Sequence, residues 1–578
     1  MRLLLEQPVR MLAETRGLEA LAATSDWLTH LDLGLTPAGD VRANFDITVQ
    51  GKVHEAELVY PSLFPQAPAY VRPRKPDEAW SAHQYLSTGT LCLEWGPDNW
   101  HPGVTGADLV ISTHKLLAFE KYGPVLGSEA PSRHELTLGQ RMRGEVSRFI
   151  VTPQLKAAIS AVGSSVAPLP LTVATTMRFS ELVAVATKLG EDGGPVLPDV
   201  PGELSDANAF GAWMRTGWLV RCDECASLPK PVKEQGVVRS FLKAKGCWPW
   251  PDDENRTAFL LLADANEQLR PLSLGAGDGG TAFEYFAVDC TDGQEVRQPG
   301  RNRRLGQKKV AIVGLGSVGS KVAVSLARSG VTRFLLVDDD ILKPANLTRN
   351  QLDWLSVGYD KVDGVKGAIK LVQPDAEVMR RTFRFAGQES AAFNTAVLEQ
   401  VAACDLVIDA TASPKVFSSI AAICARRKVA VVWGEVFAGG IGALMARSLP
   451  GHDADPLEVR AAIHTHLAGQ PEAPFQRAQG YDAQAEDAVF VAGDAEVSHL
   501  AAALTQFAID SLVGDRGYRF PYAAYLLGFQ QAWIFEAPFD TRPIDCPRAA
   551  VGPAEPEDAQ ANTSAFGELM TVLGEKKC

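Results

Sequence analysis

Cysteine is scarce in this chain: nine in 578 residues, at positions 92, 222, 225, 247, 290, 404, 424, 546 and 578. They are odd in number and do not cluster as a small disulfide scaffold does, which points to a reducing compartment, with the cytoplasm as the expected location. Long apolar runs are missing too. No stretch reaches the length needed to cross a bilayer, and the N-terminal MRLLLEQPVRML breaks its apolar run at Glu6, Gln7 and Pro8, so it makes a poor secretory signal. Positive charge is in deficit: net charge is −13 and the sequence pI is about 5.4. No basic stripe stands out, so neither nucleic acid nor a membrane is an expected partner. No internal repeat or long low-complexity tract is present.

What remains is ordinary globular material, 46% hydrophobic and 22% charged, enough for more than one core. Three textures divide it. Residues 1–150 begin with a helical pattern near Met11–Ala23. Strand-like runs follow at Val41–Val49 and Val53–Tyr60, then a proline-rich stretch from Tyr60 to Pro76 that excludes a helix interior. A helix is expected at Ala107–Phe119. Residues 151–300 form a connecting domain of unknown fold, with a linker-like Gly190–Glu203 and strands near Ala258–Ala263 and Phe283–Val288. Residues 301–578 alternate apolar strands with helices, the pattern of a parallel sheet covered on both faces. The expected class is multidomain α/β and α+β.

The densest chemistry starts at Gly314-Leu315-Gly316-Ser317-Val318-Gly319, after the strand KKVAIVG and opening a helix. Gly314 allows the tight turn, Gly316 lets a phosphate approach the backbone, and Gly319 lets the helix pack on the strand. The helix N-terminus favours an anion. Alone, this motif also fits a dinucleotide dehydrogenase. FLLVDDD then places Asp338 where a ribose hydroxyl would bind and Asp340 near a metal or the reacting phosphate. Asn346, Arg349 and Lys361 follow. A nicotinamide site has no use for that polar set, whereas nucleotidyl transfer needs fixed cations and Mg²⁺ where phosphate charge develops. GLGSVG, Asp338 and Asp340, NLTR at Asn346–Arg349, VGYDK ending in Lys361, and Gln373-Pro374 resemble the ThiF/MoeB/HesA adenylating family, which includes ubiquitin-activating enzymes. The resemblance covers about residues 308–445. It implies a Rossmann-like domain that binds ATP and Mg²⁺ and adenylates a C-terminal glycine carboxylate. One position departs: DLVIDATAS keeps Asp409 but has Ala412 where the family has a metal-holding aspartate, leaving Asp340 as the expected Mg²⁺ ligand.

Two cysteines carry candidate acyl chemistry. Cys92 lies in STGTLCLEWGPDNWHPG, after Tyr60-Pro61 and Phe64-Pro65 and before Trp100, Pro102 and the DLVISTHKLLAF helix. That order resembles ubiquitin-conjugating enzymes over about residues 40–120, and the resemblance implies a modifier carried as a thioester on Cys92. The family's His-Pro-Asn is here His83-Gln84-Tyr85. The oxyanion-supporting Asn is absent, and His83 or Gln84 is the candidate replacement. Cys546, in FDTRPIDCPRAA, is bracketed by Pro543 and Pro547, which indicates a loop, and Arg542 and Arg548 stand close enough in sequence to support a thiolate. As a thiol beyond the ATP motifs, it is expected to attack the acyl-adenylate first and pass the acyl group to Cys92. Cys424, in IAAICARR, reads as core.

Cys222 and Cys225 form a lone CxxC without a second pair, a weak zinc signal. His464 and His466 are two apart on a helical segment and point to different faces. The order of the two halves resembles bacterial activating–conjugating fusion proteins of CBASS anti-phage operons and related ubiquitin-like pathways. That resemblance implies a partner whose C-terminus is activated, either a nucleotidyltransferase or a ubiquitin-like protein, and an amine-bearing target. Family resemblance also implies a homodimer. Two other classes fit the same residues: a sulfur-carrier adenylyltransferase, which would transfer no acyl group to Cys92, and an inactive scaffold, which would catalyse no ATP–pyrophosphate exchange.

Overall fold

The computed structural model describes residues 2–75, 78–85, 88–122, 137–142, 145–161, 167–190, 197, 200, 213–230, 232–250, 257–266, 268–275, 280–290, 298–472, 492–514, 517–549 and 559–575. The chain divides into two compact units, Met1–Gly144 and Glu145–Cys578. No helix among the described residues is long and apolar enough to cross a membrane.

In the first unit, α1 (Arg2–Glu6) and α2 (Pro8–Thr24) precede β1 (Leu28–Leu35), β2 (Val41–Val49), β3 (Lys52–Tyr60) and β4 (Tyr70–Pro73). Helices α3 (Gly106–Tyr122) and α4 (Leu138–Arg141) follow. The strands form an antiparallel meander in the order β1-β2-β3-β4. The two-residue period of β2 sends Val41, Ala43, Phe45, Ile47 and Val49 into the core, where they meet Leu18 of α2 and Leu109 and Val110 of α3. Two strands escape sequence reading. β1 buries little of its length, and β4 lies inside the proline-rich stretch as an edge strand, where Pro73 is tolerated.

Glu14 ties this unit together from inside. Its carboxylate accepts hydrogen bonds from the Tyr60 hydroxyl (3.1 Å), the Gly106 N–H at the start of α3 (2.6 Å) and Arg10 Nε (2.8 Å). A buried carboxylate at a helix N-terminus satisfies an otherwise orphaned donor and faces the positive end of the dipole. Burial, then the charge of Glu14, push the Tyr60 hydroxyl well above its usual range.

The second unit opens with a mixed eight-stranded sheet made of β5 (Ser147–Val151), β6 (Leu169–Arg178), β7 (Glu181–Leu189), β8 (Trp213–Arg221), β9 (Ala258–Ala263), β10 (Leu269–Leu274), β11 (Ala282–Glu284) and β12 (Phe286–Asp289). Their order is β11-β10-β9-β8-β6-β7-β5-β12. Every residue of β9 is buried. Phe259, Leu261 and Ala263 face the core that includes α5 (Pro153–Ala161), and Leu260 and Leu262 face the one that includes α6 (Gln235–Ala244). The run expected at Phe283–Val288 is two strands, with Tyr285 between them. The linker-like Gly190–Glu203 lies largely outside the described residues, yet Leu197 and Val200 are buried against the first of these cores.

The remaining chain builds a Rossmann-like sheet. β13 (Lys309–Val313) leads into α7 (Ser317–Arg328), β14 (Arg333–Val337), α8 (Lys361–Val372), β15 (Glu377–Arg381), α9 (Ala391–Ala402), β16 (Leu406–Asp409), α10 (Pro414–Arg427), β17 (Ala430–Phe437) and β18 (Gly442–Ser448). Then come α11 (Pro456–Ala468), α12 (Asp494–Val513), β19 (Ala524–Gly528), β20 (Thr541–Ile544) and α13 (Ala559–Glu575). Strands β15-β14-β13-β16-β17 are parallel and β18, β19 and β20 extend the sheet antiparallel. Alternation along β13 divides Val310 and Ile312 from Ala311 and Val313, and the two sets belong to separate cores on opposite faces. This is why KVAIV reads as an unbroken apolar run.

Candidate functional site

The glycine-rich turn sits at the C-terminal edge of β13. Gly314 has φ +85°, open to glycine at little cost. A Cβ on Gly319 would lie 1.9 Å from the Gly314 carbonyl oxygen, so only glycine allows this approach of helix to strand. Around Gly316 a Cβ would meet nothing within 4 Å, and Gly316 caps α7 without any side-chain acceptor. The helix N-terminus is therefore open and its first N–H groups lack a side-chain partner, which suits a phosphate.

Side chains expected at this site gather around the turn. Asp338, just past β14, accepts hydrogen bonds from the Leu315 N–H (2.6 Å) and the Asp340 N–H (2.9 Å), so it braces the turn itself. Burial raises its carboxyl above the ordinary range. Lys361, the first residue of α8, is buried with its Nζ 2.6 Å from Asp340 Oδ2. Burial would raise the Asp340 carboxyl, but the hydrogen bond and charge of Lys361 outweigh it and hold the group below its usual range. Asn346 Oδ1 accepts the Lys343 N–H at 2.9 Å and closes the short turn Pro344–Thr348. Arg349 donates from Nη1 to the Ala492 carbonyl at 3.2 Å, tying the NLTR segment to the residue two before α12.

Asp409, at the end of β16, is buried. Its Oδ1 accepts both the N–H (2.9 Å) and the hydroxyl (2.6 Å) of Thr411, and burial raises its carboxyl. Ala412 adopts φ +52°. Among the described residues no group of three His, Cys, Asp or Glu side chains is arranged to hold a metal ion.

Sequence reasoning missed two residues that hold the turn in place. Asn350 is buried, donates to the Leu315 carbonyl at 3.2 Å and accepts the Leu352 N–H at 3.1 Å. Ser320 donates to the Gly316 carbonyl at 2.6 Å and accepts the Gln351 N–H at 3.2 Å. The one sequence signal for either is the adjacency of Asn350 to Arg349.

Cys546 departs from expectation. Across the sheet Val313 pairs with Asp409, Asp409 with Trp433, Trp433 with Ala446, Ala446 with Ala524, and Ala524 with Ile544. Five strand spacings of about 4.8 Å put β20 roughly 24 Å to the side of β13. β20 also runs opposite to β13, so the two residues from Ile544 to Cys546 lead away from the edge that carries the glycine turn. The Cys546 side chain is buried in the apolar core. Its arginines are engaged elsewhere: Arg542 with Asp540 (2.9 Å) and Glu536 (3.0 Å), Arg548 with His452 (3.1 Å) and Asp453 (3.5 Å). Burial, with the charges of Asp453 and Asp545, pushes the thiol up to about 11, and Arg548 offsets this only in part. Of the two arginines only Arg548 lowers the thiol, and burial outweighs it.

Gln84 is engaged with its own loop. Its Oε1 accepts the Trp80 N–H at 2.8 Å, and its Nε2 donates to the carbonyls of Glu78 (2.8 Å) and Gly89 (3.1 Å). Both amide hydrogens are spent on the loop, leaving none for an oxyanion. Cys92 is half-buried and its N–H donates to the His83 carbonyl at 2.7 Å. Burial raises its thiol, a hydrogen bond from Tyr85 lowers it, and the charge of Asp98 raises it, for a net upward shift.

Cys424 is core, as its sequence suggests, with burial pushing it up to about 12. Cys222 and Cys225 are buried among Leu228, Val238 and Leu260, with Cys247 packed beside them. His464 and His466 lie on α11, where Arg460 Nε is 3.3 Å from His464 Nε2. Cys578 is outside the described residues.

A glycine-turned helix N-terminus braced by Asp338, on a parallel sheet, is a Rossmann-like arrangement. Residues 293–461 match the ThiF family. The uncharacterized protein y4qC of Sinorhizobium fredii is 35% identical over 129 residues, 22% of each chain. The ATP-dependent ubiquitin transferase-like protein Cap2 of Enterobacter hormaechei is 36% identical over 115 residues, 20% of this chain and 18% of that one. The chain thus matches less than a quarter of the length of these relatives. The solved structure of E. coli MccB with ATP is similar at 18% identity, with a TM-score of 0.32, over 43% of this chain and 68% of that one. Residues 293–461 thus carry a ThiF-type, Rossmann-like domain.

Proposed function

We propose that this protein uses Mg²⁺-ATP to adenylate the C-terminal carboxylate of a protein, captures the acyl group as a thioester on Cys92 and delivers it to an amine. The observation that carries the reading is the Asp340–Lys361 pair beside the uncapped N-terminus of α7. A cation there offsets charge on the phosphates as the substrate carboxylate displaces pyrophosphate. Arg349 adds a second cation beside the turn, Asp338 holds the turn in shape, and Asp340 is the residue that would hold Mg²⁺. With Ala412 carrying no carboxylate, the nucleotide's own phosphate oxygens would complete the metal shell.

The first unit supports the conjugating half. It has the order helix, four-stranded antiparallel meander, cysteine, helix, and Trp100 donates from Nε1 to the Pro65 carbonyl at 2.7 Å, joining the two aromatic–proline motifs that frame Cys92. A thioester stores enough acyl-transfer potential to acylate an amine without further ATP. Similarity to an ATP-dependent ubiquitin transferase-like protein favours a ubiquitin-like route, and the order of the two halves, resembling anti-phage fusion proteins, favours a role in bacterial defence. The activated partner would be a nucleotidyltransferase or a ubiquitin-like protein, and the enzyme would act as a cytoplasmic homodimer.

The buried, high-pKa thiol of Cys546 favours direct capture by Cys92 over a relay. The test is a non-reducing gel of the full chain with Mg²⁺-ATP and a candidate carrier protein ending in glycine. A thiol-sensitive adduct lost in Cys92→Ala and kept in Cys546→Ser is expected. An adduct that survives Cys92→Ala and disappears in Cys546→Ser would restore the relay. Pyrophosphate exchange without any adduct would place the protein among the sulfur-carrier adenylyltransferases.

A further inference from the structure

The segment before Cys92 folds back on it as a short hairpin. Gln84 and Leu91 form an antiparallel bridge, the Cys92 N–H donates to the His83 carbonyl at 2.7 Å, and the Tyr85 N–H donates to the Thr90 carbonyl at 2.9 Å. Side chains alternate across paired extended backbone. Gln84 and Leu91 therefore share one face: Leu91 is buried in the core, and Gln84 spends its amide on the loop. His83, Tyr85, Thr90 and Cys92 share the other face, with His83 directly opposite Cys92 and Tyr85 on the diagonal, within reach of a long side chain. Tyr85 is 52% exposed, so an approaching substrate can meet it, and its side chain is near enough to the thiol to lower the thiol's pKa.

Gln84 spends both amide hydrogens on the loop, and its neighbour Tyr85 lies on the Cys92 face of the hairpin. We infer that Tyr85 is a catalytic residue of acyl transfer, its hydroxyl donating a hydrogen bond to the oxyanion that forms when an amine attacks the Cys92 thioester. The inference rests on the conjugating role proposed for Cys92. In the step, the amine nitrogen bonds to the thioester carbonyl carbon and the C=O pair moves onto oxygen. The intermediate then collapses, the C–S bond breaks and its electrons return to the Cys92 sulfur. The nitrogen loses a proton to solvent, and the released thiolate takes one up. The carbonyl oxygen is two bonds from the sulfur, so a hydroxyl on the Cys92 face of the hairpin can serve both the oxyanion and the departing thiolate. A phenol suits this role because it donates one hydrogen bond and stays protonated near neutral pH.

The experiment needs neither ATP nor the natural partner. The full chain is treated with the S-phenyl thioester of benzoylglycine. The Cys92 sulfur displaces thiophenol, and acylation of the Cys92 peptide is read by mass spectrometry. Loaded protein is then discharged with free L-lysine over a range of concentrations. Tyr85→Phe is expected to load Cys92 as the wild type does and melt at the same temperature. Its maximal discharge rate should fall roughly a hundredfold, the scale of losing one oxyanion donor, while the lysine concentration for half-maximal rate stays the same. Tyr85→Gln, which keeps a donor, should recover part of the rate. Wild-type discharge in Tyr85→Phe overturns the inference. So does a parallel loss of loading and discharge that Tyr85→Gln fails to relieve, which would mark Tyr85 as structural. Failure of the wild type to acylate Cys92 at all would instead overturn the conjugating role.

Discussion

Lys361 Nζ lies 2.6 Å from Asp340 Oδ2, joining the first residue of α8 to the loop after β14. They stand 21 positions apart in sequence and the Asn346 turn lies between them, so one ion pair closes the segment that flanks the glycine turn. Asp340 keeps its charge to lower pH than an ordinary carboxylate because Lys361 outweighs the effect of burial.

A group with a depressed folded-state pKa contributes its stabilisation above the ordinary carboxylate range and loses it as pH falls through the depressed value. Lys361→Ala removes the largest of the interactions that lower Asp340, leaving the Ile341 N–H and Lys343, and should move the acid limb of ATP–pyrophosphate exchange to higher pH, with activity near neutrality reduced about a hundredfold. Exchange measured over the range from mildly acidic to neutral pH checks both. An unmoved acid limb would show that Asp340 does not govern it.

Gly316 and Gly319 separate binding from folding. A Cβ at Gly319 would meet the Gly314 carbonyl at 1.9 Å, while one at Gly316 would meet no protein atom within 4 Å. Gly319→Ala should cost about 3 kcal/mol or more, by forcing helix and strand apart. Gly316→Ala should melt within about a degree or two of wild type but bind ATP at least roughly tenfold more weakly, because the methyl occupies the phosphate approach. Thermal melts with and without nucleotide distinguish them, and equal ATP affinity in Gly316→Ala would refute the assigned approach.

Cys546 should react slowly. With its thiol at about 11, roughly one molecule in a thousand carries the thiolate at about pH 8. Iodoacetamide at that pH should modify exposed Cys290 well before Cys546, as read by peptide mapping. Preferential labelling of Cys546 would mean that its segment opens in solution.

Glu14 supports three elements at once, accepting from Arg10, Tyr60 and Gly106. Glu14→Ala leaves the Tyr60 hydroxyl and the Gly106 N–H buried without this acceptor and should lower the stability of the full chain by about 3 kcal/mol. Pyrophosphate exchange should be unaffected, since Glu14 lies in the first unit. Urea unfolding followed by tryptophan fluorescence, alongside exchange, tests both parts.

The glycine turn and the strands β13 and β14 were legible in the amino-acid order, as was the position of Asp338 and Asp340 just past the second strand. Their positions are set by local rules: an apolar run forms a buried strand, glycine admits the turn, and polar residues at strand ends project past the sheet. β2, β3, α2 and α3 were legible through period and proline content. Other features depended on contacts distant in sequence. The eight-stranded sheet of residues 147–289 orders its strands by pairings that no local pattern encodes. Cys546 has arginines two and four residues away by sequence, but the fold commits both to carboxylates or His452 and turns the thiol into the core. At Cys92, the sequence by itself determined that an Asn was missing. Which neighbour shares the face of Cys92 was decided by pairing across the hairpin, because a shift of one residue along extended backbone sends a side chain to the opposite face, and that shift separates Gln84 from Tyr85.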